Sequence, residues 1–568
     1  AVACWKFMLD HFYHWQAPTE EDIYQTLRDF SKAVNSYGYG PCYVNAPVVT
    51  ALWEAAGLET RTWTITGHTI PEVKYGGAWH LLDADARGWH RKADGQIASV
   101  QELANDPKLF SEPKEKSDPY YPYGLPDAVV KPFEHWGPAC KIMDLYLSKK
   151  DNYMLNRRAV MGHPMYLTLR PGETITLSAA NEGKWYKFQG ASTNDLATGP
   201  LEVDKKVAYG NGRLTWRPDL KTVPAPDLLW LGSKNVRLAD GRLLTEKDGE
   251  PGVAVFRVWC PYVMVESKAD LAVQGSTGSK VEISNDGGIS WQEATNVTWA
   301  AQEGGGLKTA VDLTDRAVGR YEYLLRVTGN KLSLSGAQFD TIFQLAPLSL
   351  PRLKPGRNKV TVFRGPDEGH VQLVLGPSRV AKERYIVESQ NMDLPKKLTP
   401  ANTNELGFAV FRLAAPAALT ALSLGANLNF DRGRGQRIEM LYSLDAGKTW
   451  TSIFKMTDNT NPDNSQFEFD KRIPLQNPSG SKEALVKVEM VRNSKYFGLM
   501  CTRFYAFYKQ PQPEGARLAV DLAWQEKTGD QWADKKKSLV VDKFPADFDL
   551  DCGGEAVRFS TIRMTPAP

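Results

Sequence analysis

Cys42, His68 and Asp83 are the residues whose types and surroundings point most directly to chemistry. Cys42 follows Gly40-Pro41 and opens a stretch, Cys42 to Ala56, that reads as a helix closed by Gly57. At a helix start, exposed N–H groups and the helix dipole favour a thiolate over a thiol. His68 begins a run of strand character that reaches Tyr75, turns at Gly76-Gly77 and returns as Trp79–Asp83. A hairpin centred on that glycine pair sets His68 opposite Asp85 and Ile70 opposite Asp83. Both carboxylates then share the His68 face, Asp85 directly across and Asp83 diagonal, and either is within reach as the acid. His80 has the other parity and points away. A thiol nucleophile, an imidazole base and a carboxylate that fixes the imidazole tautomer are the parts needed to attack an amide or ester carbonyl. Tyr37, Tyr39 and Trp79 are the neighbouring aromatic candidates for substrate contact or an oxyanion site.

These side chains need a scaffold of helices and a hairpin. The run Ala17-Pro18-Thr19-Glu20-Glu21-Asp22 has the capping and acidic first-turn character of a helix expected to reach about Ala33. Strand patterns are expected at Thr60–Thr66, His68–Tyr75 and Trp79–Asp83. Pro47 falls inside the Cys42 stretch, where its missing N–H leaves the Tyr43 carbonyl without its helical donor or moves the helix start later. The ordered set Gly40-Pro41-Cys42, Leu52-Trp53-Glu54-Ala55-Ala56-Gly57-Leu58, His68 and Trp79–Asp83 resembles the transglutaminase-like core, a papain-related cysteine fold. The resemblance covers roughly residues 25–95. It implies an α+β domain with Cys42 as nucleophile, His68 as base and Asp83 as orienting acid.

The whole chain has 568 residues, enough for three to four domains. Hydrophobic residues make up 42% and charged residues 24%, a globular composition that excludes disorder over most of the length. Its 69 basic and 66 acidic residues nearly cancel, to a net +3, so charge offers no case for a nucleic-acid or anionic-membrane partner. No apolar run approaches the roughly 18 residues of a membrane span. Sixteen Trp, 22 Tyr, 22 Phe, 46 Gly and 35 Pro favour short strands and turns over long helices. The expected fold class is an α+β N-terminal domain followed by mostly β structure in two or more sandwiches. The expected division is 1–150, the α+β domain; 151–350, a sandwich region; 351–400, a linker and β segment; and 401–568, a second sandwich region. Ser284–Trp291 and Ser443–Trp450 both read S-x-D-x-G-x-[ST]-W and resemble the Asp-box of sialidases and many extracellular β proteins. Each is expected as a hairpin turn, in separate sandwiches, with its Trp largely buried. Six cysteines without CxxC spacing exclude a zinc ribbon and a disulfide-dense scaffold. His11-x-x-His14 with Cys4 lacks a fourth ligand, so no metal and no cofactor is expected.

Three readings of function follow. The first is cysteine-dependent acyl transfer or hydrolysis at Cys42, acting on a protein or peptide substrate. The second is a carbohydrate-active lyase or hydrolase acting on a polysaccharide, built on Tyr43, His80, Arg87 and His90 with sugar-stacking aromatics such as Tyr120, Tyr121, Tyr123, Trp136, Trp79 and Trp89. The third is a non-catalytic adhesion or scaffold protein that keeps the core as a fold. A chain that begins Ala-Val-Ala-Cys without an initiator Met reads as a processed form, and the expected setting is secreted or periplasmic.

Overall fold

The computed structural model describes residues 1–14, 17–20, 25–27, 29–65, 68–85, 88–106, 108–111, 153–155, 162–186, 210–221, 228–274, 277–295, 297–302, 306–376, 382–394, 397–430, 435–457, 466–510 and 516–567. Arg87, Cys140 and the Pro- and Tyr-rich run 113–140 lie outside them.

A small α/β region leads the chain. Helix α1, Val2–His11, buries Trp5, Met8 and Leu9 and hands the chain to strand β1, Tyr13–His14. Strand β1 pairs in parallel with β2, Tyr39–Gly40, which brings His14 beside the residues that lead into Cys42. Helix α2, Cys42–Ala55, starts at its cysteine with Pro41 as N-cap and runs through Pro47. The Val44 and Asn45 amides both bond the Pro41 carbonyl, at 2.8 and 2.9 Å, which anchors the first turn ahead of the proline. The helix therefore neither starts later nor breaks at Pro47. Thr50 Oγ1 donates to the Pro47 carbonyl at 2.9 Å and ties down the following turn. Gly40 has to be glycine, because a Cβ there would sit 2.9 Å from Val44 of α2.

Three antiparallel strands carry the rest of the region: β3, Glu59–Ile65; β4, His68–Tyr75; and β5, Ala78–Leu81. A short strand β6, Tyr153–Leu155, adds to the free edge of β3. The β4–β5 register pairs Glu72 with Leu81 and Tyr75 with Ala78, the register the Gly76-Gly77 turn dictates. The ladder stops at Leu81, two residues earlier than the sequence pattern suggests. Glu72, fully buried, accepts from Arg61 Nε at 2.5 Å, Trp63 Nε1 at 2.5 Å and the Val100 amide at 2.7 Å. It thus fastens β3 and β4 to helix α3, Val100–Asn105, which a Ser99–Glu102 capping box begins.

One expected element is corrected. Residues 17–33 do not form one helix: Thr19–Glu20 pairs with Gln25–Thr26 as strands, and helical structure begins only at Phe30. The reason is tertiary. Glu20 is buried in an ion pair with Lys32, and Asp29 caps the turn through the Lys32 amide at 3.1 Å. A continuous helix would put Glu20 three turns away from Lys32.

The rest of the chain is β. One large antiparallel sheet contains strands 264–274, 333–345, 210–216 and 173–178, followed in order by 556–567, 517–528 and 531–541. It packs on a four-stranded sheet whose long strands are 252–259, 322–330 and 277–284, around Trp216, Phe256, Phe339 and Phe343. A second sandwich joins the sheet of 368–375, 498–509, 419–429 and 466–474 to the sheet of 386–390, 406–414, 483–491, 437–443 and 451–457. Phe411, Phe430, Val486 and Phe504 are fully or almost fully buried between them.

The repeated eight-residue motifs form equivalent hairpin turns in different sheets, joining strands 277–284 with 292–293 and 437–443 with 451–457. In the first, the Gly288 amide reaches Ser284 Oγ and the Ser290 amide reaches Asp286 Oδ1, both at 2.9 Å. In the second, the Gly447 and Thr449 amides make the same two bonds to Ser443 and Asp445 at 2.9 Å. Trp291 and Trp450 are half-buried instead of deeply buried. Each presents its ring face to a cation, Arg326 at 4.1 Å and Lys487 at 4.4 Å.

Candidate active site

The two acids are placed by a tight loop beyond the end of β5. Asp83 and Gly88 exchange backbone hydrogen bonds at 2.9 Å in both directions. Trp5 Nε1 of α1 donates to the Asp83 carbonyl at 2.9 Å and fixes that loop to the helix layer. Asp83 Oδ1 accepts the Asp85 amide at 2.9 Å, which leaves Oδ2 to meet His68 Nε2 at 2.7 Å. With Asp83 taking the Nε2–H, the tautomer this contact selects carries its lone pair on Nδ1. Cys42 Sγ, a ring nitrogen of His68 and a carboxylate oxygen of Asp85 all lie within 4.8 Å of one another. His68, Asp83 and Asp85 are buried, while Cys42 is half-buried at the helix start. Helix α2 has no side-chain cap there.

The electrostatics of this cluster favour an imidazolium. Burial works against charge on His68, but the Asp83 charge and hydrogen bond, the Cys42 thiol and the Asp85 charge outweigh it. The His68 pKa is held well above 6.5. Asp85 sits farther off, 3.9 Å from His68 Nδ1, and is turned toward His14. Its two oxygens lie 2.8 and 2.9 Å from His14 Nδ1. Burial also opposes charge on His14, and the Asp85 hydrogen bond and charge still raise its pKa. His14, which sequence spacing grouped only with His11 and Cys4, belongs instead to this site. It reaches Asp85 only because β1 lies beside β2, and no local motif records that pairing.

The remaining candidates are placed elsewhere. Tyr37 is buried and its hydroxyl lies 3.5 Å from that of Tyr321, a joint with the first sandwich, which leaves it unsuited to an oxyanion. Tyr39 is buried edge-on to Tyr37, with ring centroids 5.8 Å apart. Trp79 lies under the Arg61 guanidinium at 4.0 Å. Of the carbohydrate set, His80 is buried with Nδ1 on the Ile97 carbonyl at 2.7 Å and Nε2 on the Tyr75 carbonyl at 3.1 Å, stacked on the Tyr75 ring. That is a structural histidine. His90 is buried, Tyr43 is half-buried against the N-terminal core, and Arg87 is outside the described residues. Among the described residues the five cysteines, Cys42 included, form no disulfide. Among the described residues no helix is long and apolar enough to cross a membrane.

No protein-family model matches the sequence, and no curated protein matches it. Solved structures with partial likeness include dimeric latent PorU from Porphyromonas gingivalis, at 10% identity over 53% of this chain and 32% of that one, with TM-score 0.19. The tandem CBM22 domain of Xyn10C from Paenibacillus barcinonensis gives 11% identity over 50% and 99%, with TM-score 0.18. PNGase F from Flavobacterium meningosepticum gives 8% identity over 52% and 96%, with TM-score 0.17. This chain thus spans about a third of PorU's length. At such TM-scores the likeness carries no argument about activity, and the functional case rests on the Cys–His–Asp group itself.

Proposed function

We propose that the protein performs cysteine-dependent acyl transfer or hydrolysis on an amide or ester of a protein or peptide. The observation that carries this reading is the approach of Cys42 Sγ to a His68 ring nitrogen, within 4.8 Å, with His68 Nε2 held 2.7 Å from Asp83. In this scheme the proton that makes His68 an imidazolium is the one Cys42 has given up to Nδ1, a transfer the raised His68 pKa favours, and the sulfur attacks the carbonyl carbon. The backbone N–H of Cys42, at a helix start without a side-chain cap, is the oxyanion donor in this reading. Collapse of the tetrahedral intermediate breaks the bond to the leaving amine or alkoxide, which takes the proton from His68 and leaves a thioester on Cys42. Water, or an acceptor amine, then resolves the thioester as His68 removes its proton. Asp83 stays a carboxylate and holds the ring in place.

The chain order 1–150, 151–350, 351–400 and 401–568 is proposed as an outline of the domains, in which strands 368–375 and 386–390 build the second sandwich and the strands from 517 onward rejoin the first large sheet. The sandwiches would then present substrate or partner to the N-terminal site. A secreted or periplasmic setting fits two Asp-box-like turns and is checked by fractionating producing cells. Iodoacetamide labelling across pH, with the modified cysteine mapped by mass spectrometry, tests the site directly. Preferential alkylation of Cys42 supports the reading. Indifference of Cys42, with a free thiol elsewhere reacting first, favours the scaffold reading.

A further inference from the structure

We propose that Cys42, His68 and Asp85 also form a binding site for a thiophilic divalent cation, Zn2+ in particular, which caps the thiol when it binds. The donor set is one sulfur, one imidazole nitrogen and one carboxylate oxygen, the mixture that borderline-soft Zn2+ accepts and hard Mg2+ or Ca2+ does not. The three donor atoms already lie within 4.8 Å of one another, and His68 Nδ1 is 3.9 Å from Asp85 Oδ2. Zn–S near 2.3 Å and Zn–N or Zn–O near 2.1 Å set tetrahedral donors about 3.4 Å apart, so closure needs only side-chain rotations.

The surroundings are those of a supported site. His68 is gripped from behind at Nε2 by Asp83, at 2.7 Å, which presents Nδ1 to the ion, and binding releases to solvent the proton shared by Cys42 Sγ and His68 Nδ1, with any second proton on the pair. Asp85 is gripped by His14, at 2.8 Å. Each of the two buried ligands therefore has an outer partner that fixes its orientation and completes its hydrogen bonding. Cys42 is half-buried, so the fourth tetrahedral position opens toward solvent. The arrangement also gives a separate task to each acid: Asp83 serves the imidazole, and Asp85 supplies the third ligand. Local spacing shows no such set, because the ligands come from α2, β4 and the loop after β5.

The test uses the whole chain, stripped of metal, and needs no turnover. Zn2+ is titrated while alkylation of Cys42 by iodoacetamide is followed by mass spectrometry, with Mg2+ as control. Co2+ is added in parallel, and the near-ultraviolet thiolate-to-cobalt charge-transfer band is read. One equivalent of Zn2+ is expected to slow Cys42 alkylation at least about tenfold while Mg2+ has no effect, and Co2+ should show the thiolate band. Asp85→Asn is expected to weaken Zn2+ binding by about tenfold or more, with circular dichroism confirming the fold. Zn2+ binding that leaves Cys42 alkylation unchanged, or no protection at any Zn2+ concentration in the wild-type chain, overturns the proposal. So does unchanged affinity in folded Asp85→Asn. Loss of the acyl-transfer reading, by contrast, would appear as absent turnover with the Zn2+ protection intact.

Discussion

Replacing Cys42 by serine keeps the side chain's shape and removes the acidity and nucleophilicity on which the proposed reaction depends. Cys42→Ser is expected to reduce turnover to background while the thermal midpoint stays where it was, since the residue is half-buried and leaves no cavity. His68→Ala should reach the same floor. Asp83→Asn should keep the ring in place yet select the wrong tautomer, lowering kcat by about 10^3–10^4-fold. Turnover that survives Cys42→Ala would remove the thiol from the reaction. The first three members of this group were legible in the sequence because each sits at a recognisable place: a helix start after Gly-Pro, a strand opening, and the far arm of a glycine hairpin. The family resemblance assigned the acid to Asp83 and the hairpin arithmetic put Asp85 directly across, and Asp83 is the one that meets His68 Nε2. The hairpin register is the one the turn predicts, yet it sets no partner for His68, because the ladder ends at Leu81 and the loop closed by Asp83 and Gly88 re-aims both carboxylates. The place of His14 in this group was invisible for a related reason, its approach to Asp85 being a product of long-range strand pairing.

At the scale of elements, the two Asp-turns make a controlled comparison. The first places Gly287 at φ 69°, and the second places Ala446 at φ 59° in the equivalent position. An L-residue with a Cβ pays about 1 kcal/mol or more in that left-handed region, and glycine does not. Ala446 is exposed, so its methyl group contributes little packing in return. Ala446→Gly is therefore expected to stabilise its sandwich by about 1 kcal/mol, and Gly287→Ala to destabilise the other by a similar amount. Urea denaturation of the paired variants checks both signs, and equal effects in one direction would discard the argument. These turns were readable from sequence because all their bonds are local. The segment 17–33 was misread because its decisive interaction, buried Glu20 with Lys32, is paid back only in the folded interior. Propensity favoured a helix there, and burial of the ion pair overrode it.

At the scale of the molecule, the N-terminal region is seated on the first sandwich through polar contacts. Tyr186 donates to the Thr19 carbonyl at 2.7 Å, Gln344 to the Ser36 carbonyl at 3.0 Å, and the His163 amide to Asp29 Oδ2 at 3.0 Å. Lys32 lies over the Tyr321 ring at 4.3 Å. Asp29, at the centre of this seam, is buried, and burial lifts its pKa to about 6 against the lowering effects of the Lys32 charge and of the Lys32 and His163 amides. Because the folded pKa exceeds that of the unfolded chain, the folded state binds the proton more tightly, and Asp29 favours folding most below pH 4. That contribution is lost as pH rises through 6, by about 3 kcal/mol over the window. Most other carboxylates act in the opposite direction, so the measurement has to be a difference. Asp29→Asn, neutral throughout, should gain stability relative to the parent as pH is raised from 4 to 7, read as a widening gap in urea midpoints. Parallel pH profiles for parent and variant would mean that Asp29 is ionised across the whole range and that the seam carries no such cost.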